Sequence, residues 1–422
     1  MAQRADSVGA VGRFFADGLR ALWADSEGRK PALDAMRSMA VLLVCMVHWP
    51  TRFYGWGGVD VGLHKLPGFH QGHIGVDAFF VLSGYLIGRQ IWKEHAATGT
   101  VHFPSFFVRR SLRIWPYYYF ALAFWSFVAR APENGPARLC EIFFFANYTG
   151  VRGIPGSWSL STEEQFYILA PLLVIVGRRF LRAWEFLPLL AGLWIAQIVA
   201  RAIELHGALA AGETVPYLEG LHVHSEGLLA GTTLALVSVL RPAWFREGRT
   251  RRGWLVFAAS VIVAAALMKV QPKIFNFTAL AIVFTGLAYA LLVDRSILSG
   301  FFRLRVFQVV SVLTFGIYLN QFLILGAFAS WWAPLTRDVL SPGVAFFLGF
   351  ALSVIACVAA AVVTYVLIEH PFLVLRDRLL AKMRRKAEVP PVPMVSVPVP
   401  PLPSDPPVAS DRPPEAEDIA IS

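Results

Sequence analysis

The chain has 422 residues, of which 56% are hydrophobic and only 16% charged, and its formal net charge is +10. A water-soluble domain carries about 25% charged residues, and a soluble fold of this size cannot hide so much apolar surface, so composition excludes that class. The basic residues fall in short loops between apolar stretches, where they read as membrane orientation; no basic–aromatic motif for nucleic acid accompanies them.

Residues 1–33 read as a cytoplasmic arm. They contain no long apolar core, so a cleavable signal peptide is not expected there. Phe14, Phe15, Leu19, Leu22 and Trp23 can share one helix face beside Arg13 and Arg20. That face suits a short helix lying on the membrane surface; a disordered arm is the competing reading.

Ten apolar spans follow, at about 35–50, 74–92, 114–130, 165–177, 186–203, 226–240, 254–270, 277–293, 306–330 and 344–368. With the N-terminus inside, the inner segments hold 27 Lys and Arg residues and the outer segments 9, a bias repeated loop by loop. The expected architecture is therefore an all-α integral membrane protein, a bundle of about ten transmembrane helices over residues 34–375, with both termini cytoplasmic. Residues 376–422 begin basic and become Pro-rich. From residue 388 they hold 11 of the 27 prolines, which predicts a disordered or extended tail that can recruit a partner. The three cysteines, Cys45, Cys140 and Cys357, form no CxxC pair and predict neither a disulfide framework nor a metal site.

An ionisable residue inside a span is costly and marks function. The first span carries Asp34 and Arg37 at its inner end and His48 at its outer end. Eleven residues of about 100° each return a helix to within about 20° of its start, so Arg37 and His48 lie on one face, about 16 Å apart along the axis. Asp77, near the start of the second span, is expected at the depth of His48. Arg109, Arg110 and Arg113 precede the third span on the inner side, and Arg110 and Arg113, three apart, point the same way. Residues 156–164 are expected as an outer loop leading into the fourth span, where Ser161 and Glu164 have the spacing of a helix-capping box. Bland readings stand beside each of these. Arg37 can be a snorkelling anchor, Asp77 a helix-start acid, and Gly84 with Gly88 a small-xxx-small packing pair.

Chemically, the inner arginines can grip an anionic donor, and a histidine with a carboxylate nearby can act as general base on a hydroxyl. No nucleophile motif and no metal-ligand spacing is present, so direct transfer is simpler than a covalent intermediate.

Leu33-Asp34-Ala35-Met36-Arg37 followed by His48 resembles the opening motif of the membrane acyltransferase-3 family. So do Gly75-Val76-Asp77-Ala78-Phe79-Phe80-Val81-Leu82-Ser83-Gly84-Tyr85, Arg109-Arg110-Ser111-Leu112-Arg113 through Pro116, and Trp158-Ser159-Leu160-Ser161-Thr162-Glu163-Glu164-Gln165-Phe166-Tyr167, all in order. Gly316-Ile317-Tyr318-Leu319 and Glu369-His370-Pro371-Phe372 resemble its late signatures, although Gln321 stands where a histidine is often found.

The resemblance implies O-acylation, commonly O-acetylation, of an extracytoplasmic sugar in an exopolysaccharide, O-antigen or lipid-linked glycan. It implies acyl-CoA (acetyl-CoA or another) as donor, no metal, and a bacterial inner membrane. By position, His48 would be the base, with Arg37, Asp34, Asp77 and Glu163 beside it in catalysis. Arg109, Arg110 and Arg113 would hold the donor, and Trp158, Ser159, Glu164 and Tyr318 the carbohydrate acceptor. The hydrolase-like domain fused to some members is not expected here. Two other readings stay open: O-acylation of a secreted small-molecule glycoside, and a transporter or flippase of lipid-linked sugars.

Overall fold

The computed structural model describes residues 14–24, 30–128, 135–149, 153–212, 218–248, 251–295 and 300–387. The expected Pro-rich tail from residue 388 and the arm before residue 14 lie outside the described residues. Within them the protein is helical, and they contain no strand. In chain order the helices are α1 (14–23), α2 (Pro31–Gly55), α3 (Ile74–Thr98), α4 (Phe103–Val128), α5 (Gly135–Ile142), α6 (Ser157–Gly177) and α7 (Phe186–Ala210). They continue as α8 (Glu226–Leu240), α9 (Arg252–Val270), α10 (Pro272–Val293), α11 (Arg305–Thr336), α12 (Pro342–Thr364) and α13 (His370–Ala387), with a π-helical turn, Tyr365–Glu369, joining α12 to α13.

Local chemistry sets several boundaries. Pro31, Pro272 and Pro342 open α2, α10 and α12, where a missing N–H leaves no helical bond unmade. Gly99 ends α3 at φ 71°, and its N–H closes on the His95 carbonyl at 2.8 Å. Among the described residues, eight helices are long and apolar enough to cross a membrane by length and composition. Glu226–Leu240 is apolar but has 15 residues, and the 26-residue α4 falls outside the set, its arginines and tyrosines lowering its hydropathy.

Two expected boundaries move. The third span was expected from residue 114, yet α4 begins at Phe103, so Arg109, Arg110 and Arg113 ride on the helix. The expected outer loop 156–164 is the first part of α6. Gly156, at φ 81°, turns the chain, and the helix starts at Ser157. Ser161 is therefore inside the helix and caps nothing, while Thr162 satisfies its hydroxyl on the Trp158 carbonyl one turn back, at 3.1 Å.

The buried side chains form two clusters. The larger joins α3, α4, α6, α8 and α10 with the inner part of α2 and the start of α7. The smaller joins α2, α11 and α12, and receives Leu22 from α1. Phe79 and Tyr318 pack against both, so they mark the seam. The arm helix is present: Gly18 faces Val366, while Phe14, Phe15, Leu19 and Trp23 stay exposed. Cys45 and Cys357 are buried free thiols, and Cys140 is also free.

The α3–α8 pair packs most extensively, and its glycines explain how. A Cβ on Gly84 would sit 2.1 Å from the Leu228 carbonyl oxygen, and one on Gly231 would sit 2.1 Å from that of Val81. Backbone meets backbone there, as the small-xxx-small reading requires. Gly84→Ala is expected to cost about 1–3 kcal/mol through overpacking, read as a lower unfolding temperature in detergent.

At the end that the charge bias assigns to the inside, Glu247 gathers three cations. Lys30 Nζ and Arg295 Nε each lie 2.7 Å from its carboxylate, and Arg303 lies at 3.7 Å. The Lys30 hydrogen bond, then that of Arg295, pulls the Glu247 carboxyl down from its ordinary 4.5 to about 2. The resulting stability is present above pH 4.5 and is lost as pH falls through about 2. Glu247→Gln is expected to lower the unfolding temperature at neutral pH and to flatten its dependence on pH across that window.

Candidate active site

A cavity of about 120 Å³ lies at the seam between the two clusters. Five helices line it. Arg37 comes from α2, Ser83 with Phe79 and Phe80 from α3, and Arg110 and Arg113 from α4. Ser159, Glu163 and Tyr167 come from α6, and Thr314 and Tyr318 from α11. The one-turn spacings Arg110/Arg113 and Ser159/Glu163/Tyr167 explain how each helix delivers its polar groups to one wall.

Glu163 carries the only carboxylate in that lining. Ser83 Oγ donates to one of its oxygens at 2.8 Å, and the Tyr167 hydroxyl donates to the other at 3.0 Å. The Arg110 guanidinium lies over the Tyr167 ring, 5.6 Å from its centre. Across the cavity, the Ser159 and Tyr318 hydroxyls are 2.6 Å apart, and Tyr318 donates to the Gly156 carbonyl at 2.9 Å.

Of the residues singled out from sequence, Arg37, Arg110, Arg113, Ser159, Glu163 and Tyr318 thus share one cavity. The others do not line it. His48 is on the same helix as Arg37, and its ring meets Phe322 at 4.4 Å, one turn of α11 beyond Tyr318. Asp34 accepts from Ser311 at 2.7 Å and lines a neighbouring cavity. Arg109 turns toward Glu94, 3.7 Å away. Glu164 is buried behind the site and accepts from Trp115 Nε1 at 3.1 Å.

Asp77 and Trp158 belong to a second polar group that sequence reasoning missed. Asp77 lies 2.9 Å from His224 Nε2, while His224 Nδ1 lies 3.1 Å from the Leu218 carbonyl. Both imidazole nitrogens therefore face oxygens. The His224 ring stacks on Phe277 and on Trp158, with centres 3.4 and 5.3 Å away. Beside it, Arg201 and Glu226 form a fully buried ion pair at 2.6 Å. Arg201 also donates to the Val223 and Ile274 carbonyls. Arg201 and Glu226 sit at expected span ends, so a charge in an apolar run was a visible signal; His224 lies in a loop and gave none.

Two further cavities continue from the first. One of about 240 Å³ shares Arg37, Leu86 and Arg113 with it and adds Lys30, Asp34 and Arg89. The next, about 580 Å³, shares Lys30, Tyr85 and Arg89 with the second and adds Lys93. No Asp or Glu lines the third. The series runs from the cation-rich end of α3 to the seam. Among the described residues, no cluster of His, Cys, Asp and Glu is arranged to hold a metal.

Removing one partner of a buried pair leaves an uncompensated charge. Glu226→Gln is expected to destabilise the protein by about 3–5 kcal/mol, and Arg201→Met with Glu226→Leu to cost less than either single change. Unfolding of the purified variants in detergent checks both.

The sequence matches the acyltransferase domain over residues 30–362. It is 26% identical over 372 residues to YrhL of Bacillus subtilis strain 168, provisionally named a peptidoglycan O-acetyltransferase, covering 81% of this chain and 54% of that protein. It is 25% identical over 325 residues to the peptidoglycan O-acetyltransferase OatA of Listeria monocytogenes, covering 70% and 49%. The chain thus spans about half the length of these relatives. No solved structure matches it.

Proposed function

This chain belongs to the acyltransferase domain family, and from that membership we propose that it transfers an acetyl group from cytoplasmic acetyl-CoA to a hydroxyl of an extracytoplasmic sugar. Its relatives are named for O-acetylation of peptidoglycan, so a cell-wall or other surface glycan is the acceptor class we favour. The protein would sit in the bacterial inner membrane with about ten spans and both termini cytoplasmic, as the charge bias supports.

The observation that carries this reading is the cation-lined series of cavities. It gives a long donor with a polyanionic head and a small reactive tip a route into the bundle. The phosphates of CoA would meet Lys30, Arg89 and Lys93. Arg89 and Lys93 are one helical turn apart, and like charges at that spacing repel unless an anion lies between them. The pantetheine arm would pass Arg37 and Arg113, and the thioester would reach the 120 Å³ cavity.

In the transfer, the acceptor oxygen bonds to the thioester carbonyl carbon and its proton passes to His48. The C–S bond breaks, the electron pair leaves on sulfur, and the sugar ester forms. Arg37, Arg110 and Arg113 would face the developing negative charge. His48 stands past Phe322, on the side from which an outer hydroxyl would come.

The test is ester-linked acetyl on surface glycan in a deletion strain. Wild type is expected to restore it, and His48→Ala to fail while still inserting. Arg89→Ala with Lys93→Ala is expected to raise the KM for acetyl-CoA about tenfold or more, the size of one or two lost charge-assisted contacts. Acetyl restored fully by His48→Ala would remove His48 as base. An unchanged acetyl content in the deletion strain would move the acceptor away from surface glycan.

A further inference from the structure

The charges around the seam cavity do not pair as their proximity invites. Arg37, Arg110 and Arg113 all line it, and Glu163 lines it with them. Arg37 and Arg110 lie close enough to Glu163 to act on it through space. Yet among the described residues none of the three guanidiniums is in an ion pair with any carboxylate. Of the other nearby acids, Asp34 acts on Arg37 through space and accepts from Ser311 at 2.7 Å, and Glu369 is acted on by Arg113.

Half-buried cations beside a carboxylate ordinarily form charge-assisted hydrogen bonds with it, so something specific keeps Glu163 away from them. Ser83 on α3 and Tyr167 on α6 each donate a hydroxyl to one carboxylate oxygen, at 2.8 and 3.0 Å. Glu163 is thereby pinned from two directions by neutral donors. Tyr167 has a second part, because its ring lies under the Arg110 guanidinium and occupies the approach from that side.

We infer that Ser83 and Tyr167 are positioning residues that withhold Glu163 from Arg37, Arg110 and Arg113, so that these guanidiniums stay unpaired for the negative charge formed when the thioester is cleaved. The inference rests on the acyl-CoA reading of the previous subsection. A carboxylate that swung onto the arginines would neutralise them in the ground state. The charge leaving on the CoA sulfur would then find no counter-ion. Held by two hydroxyls, Glu163 leaves the guanidiniums lining the cavity without an ion-pair partner, the arrangement that costs no reorganisation at the moment of reaction. The clamp therefore acts on the chemical step and not on capture of the donor, whose phosphates are met elsewhere, by Lys30, Arg89 and Lys93.

The product thiol reports this directly, since CoA thiolate carries the same charge on the same atom. The experiment titrates CoA bound to the purified full chain in neutral-lipid nanodiscs, following thiolate ultraviolet absorbance against pH. It is done for wild type, Ser83→Ala, Ser83→Thr, Tyr167→Phe, Glu163→Gln and Ser83→Ala with Glu163→Gln. In wild type the bound thiol is expected to ionise below free CoA. Ser83→Ala and Tyr167→Phe are expected to move that ionisation up by about one pH unit, a tenfold change in thiolate population. Ser83→Thr, which keeps a hydroxyl on the same carbon, is expected to behave as wild type. In Glu163→Gln the amide cannot neutralise an arginine, so adding Ser83→Ala is expected to change nothing. With acetyl-CoA and an acceptor, Ser83→Ala is expected to lower kcat about tenfold with donor KM unchanged.

Failure of wild type to bind CoA would overturn the donor reading, and the clamp with it. CoA bound normally but titrating alike in wild type, Ser83→Ala and Tyr167→Phe would overturn the clamp alone. So would an upward shift from Ser83→Ala that persists in the Glu163→Gln background, because the effect would then not pass through Glu163.

Discussion

Three guanidiniums, Arg37, Arg110 and Arg113, are drawn into an apolar bundle, and among the described residues none is in an ion pair with the carboxylates around them. An arginine half-buried in this way is tolerated only where its surroundings are polar or aromatic and where space remains for a counter-ion. The bundle supplies each of these. Tyr167 offers a ring face to Arg110, and Ser83, Ser159, Thr314, Tyr167 and Tyr318 line the wall with hydroxyls. The cavity sits at the seam where two hydrophobic clusters meet, and five helices contribute to it. A site inside one cluster would have to displace packed side chains. At a seam, the gap between two cores is already there.

Such a site needs rigid walls, and the α3–α8 side shows how they are made. Gly84 and Gly231 bring those helices to backbone contact. The Asp77–His224 pair then joins the first turn of α3 to the segment leading into α8, and Trp158 and Phe277 stack on the histidine from α6 and α10. The Arg201–Glu226 pair adds α7 to the same group. Ionic pairs are poor sources of stability in a low-dielectric interior, but they are selective about geometry. Phe80 lies between this polar group and the cavity: it lines the cavity and packs edge-on against both Trp158 and His224.

Much of this was legible in the sequence, for physical reasons that also mark the limit. A helix lies at each of the ten expected positions, but among the described residues apolar length accounts for eight of them, and α4 and α8 fall outside that set. Arg37 and the Arg110/Arg113 pair stood out because charge in or beside a span is costly. Boundaries failed where polar residues are helical because they face a cavity. The start of α4 carries three arginines and the start of α6 is rich in Ser and Thr, so hydropathy placed both outside their helices. The pairing of charges was not legible at all. Nothing local joins Ser83 to Glu163, 80 residues on, or Asp77 to His224, 147 residues on. Proximity of motifs likewise did not say that Glu163 faces the cavity while Glu164, its neighbour, turns away to Trp115.

The two expected levels of chemistry remain separate in this structure, and α2 shows why they are nonetheless coupled. Arg37 and His48 stand on one continuous helix, about 16 Å apart along its axis. Arg37 lines the cavity and the next one inward, while His48 lies beyond the Tyr318–Phe322 turn of α11. That turn is therefore the partition between the arginines and the histidine. It is held by a short hydroxyl pair, Tyr318 with Ser159, and by the Gly156 carbonyl, to which Tyr318 donates. A Cβ on Gly156 would come within 3.1 Å of Phe322 and 3.3 Å of the Tyr318 hydroxyl. The residue whose left-handed turn starts α6 thus also lets the partition close against it. Tyr318 lines the cavity with Arg37, and Phe322, one turn further along α11, meets the His48 ring, so a single aromatic turn touches both levels of α2.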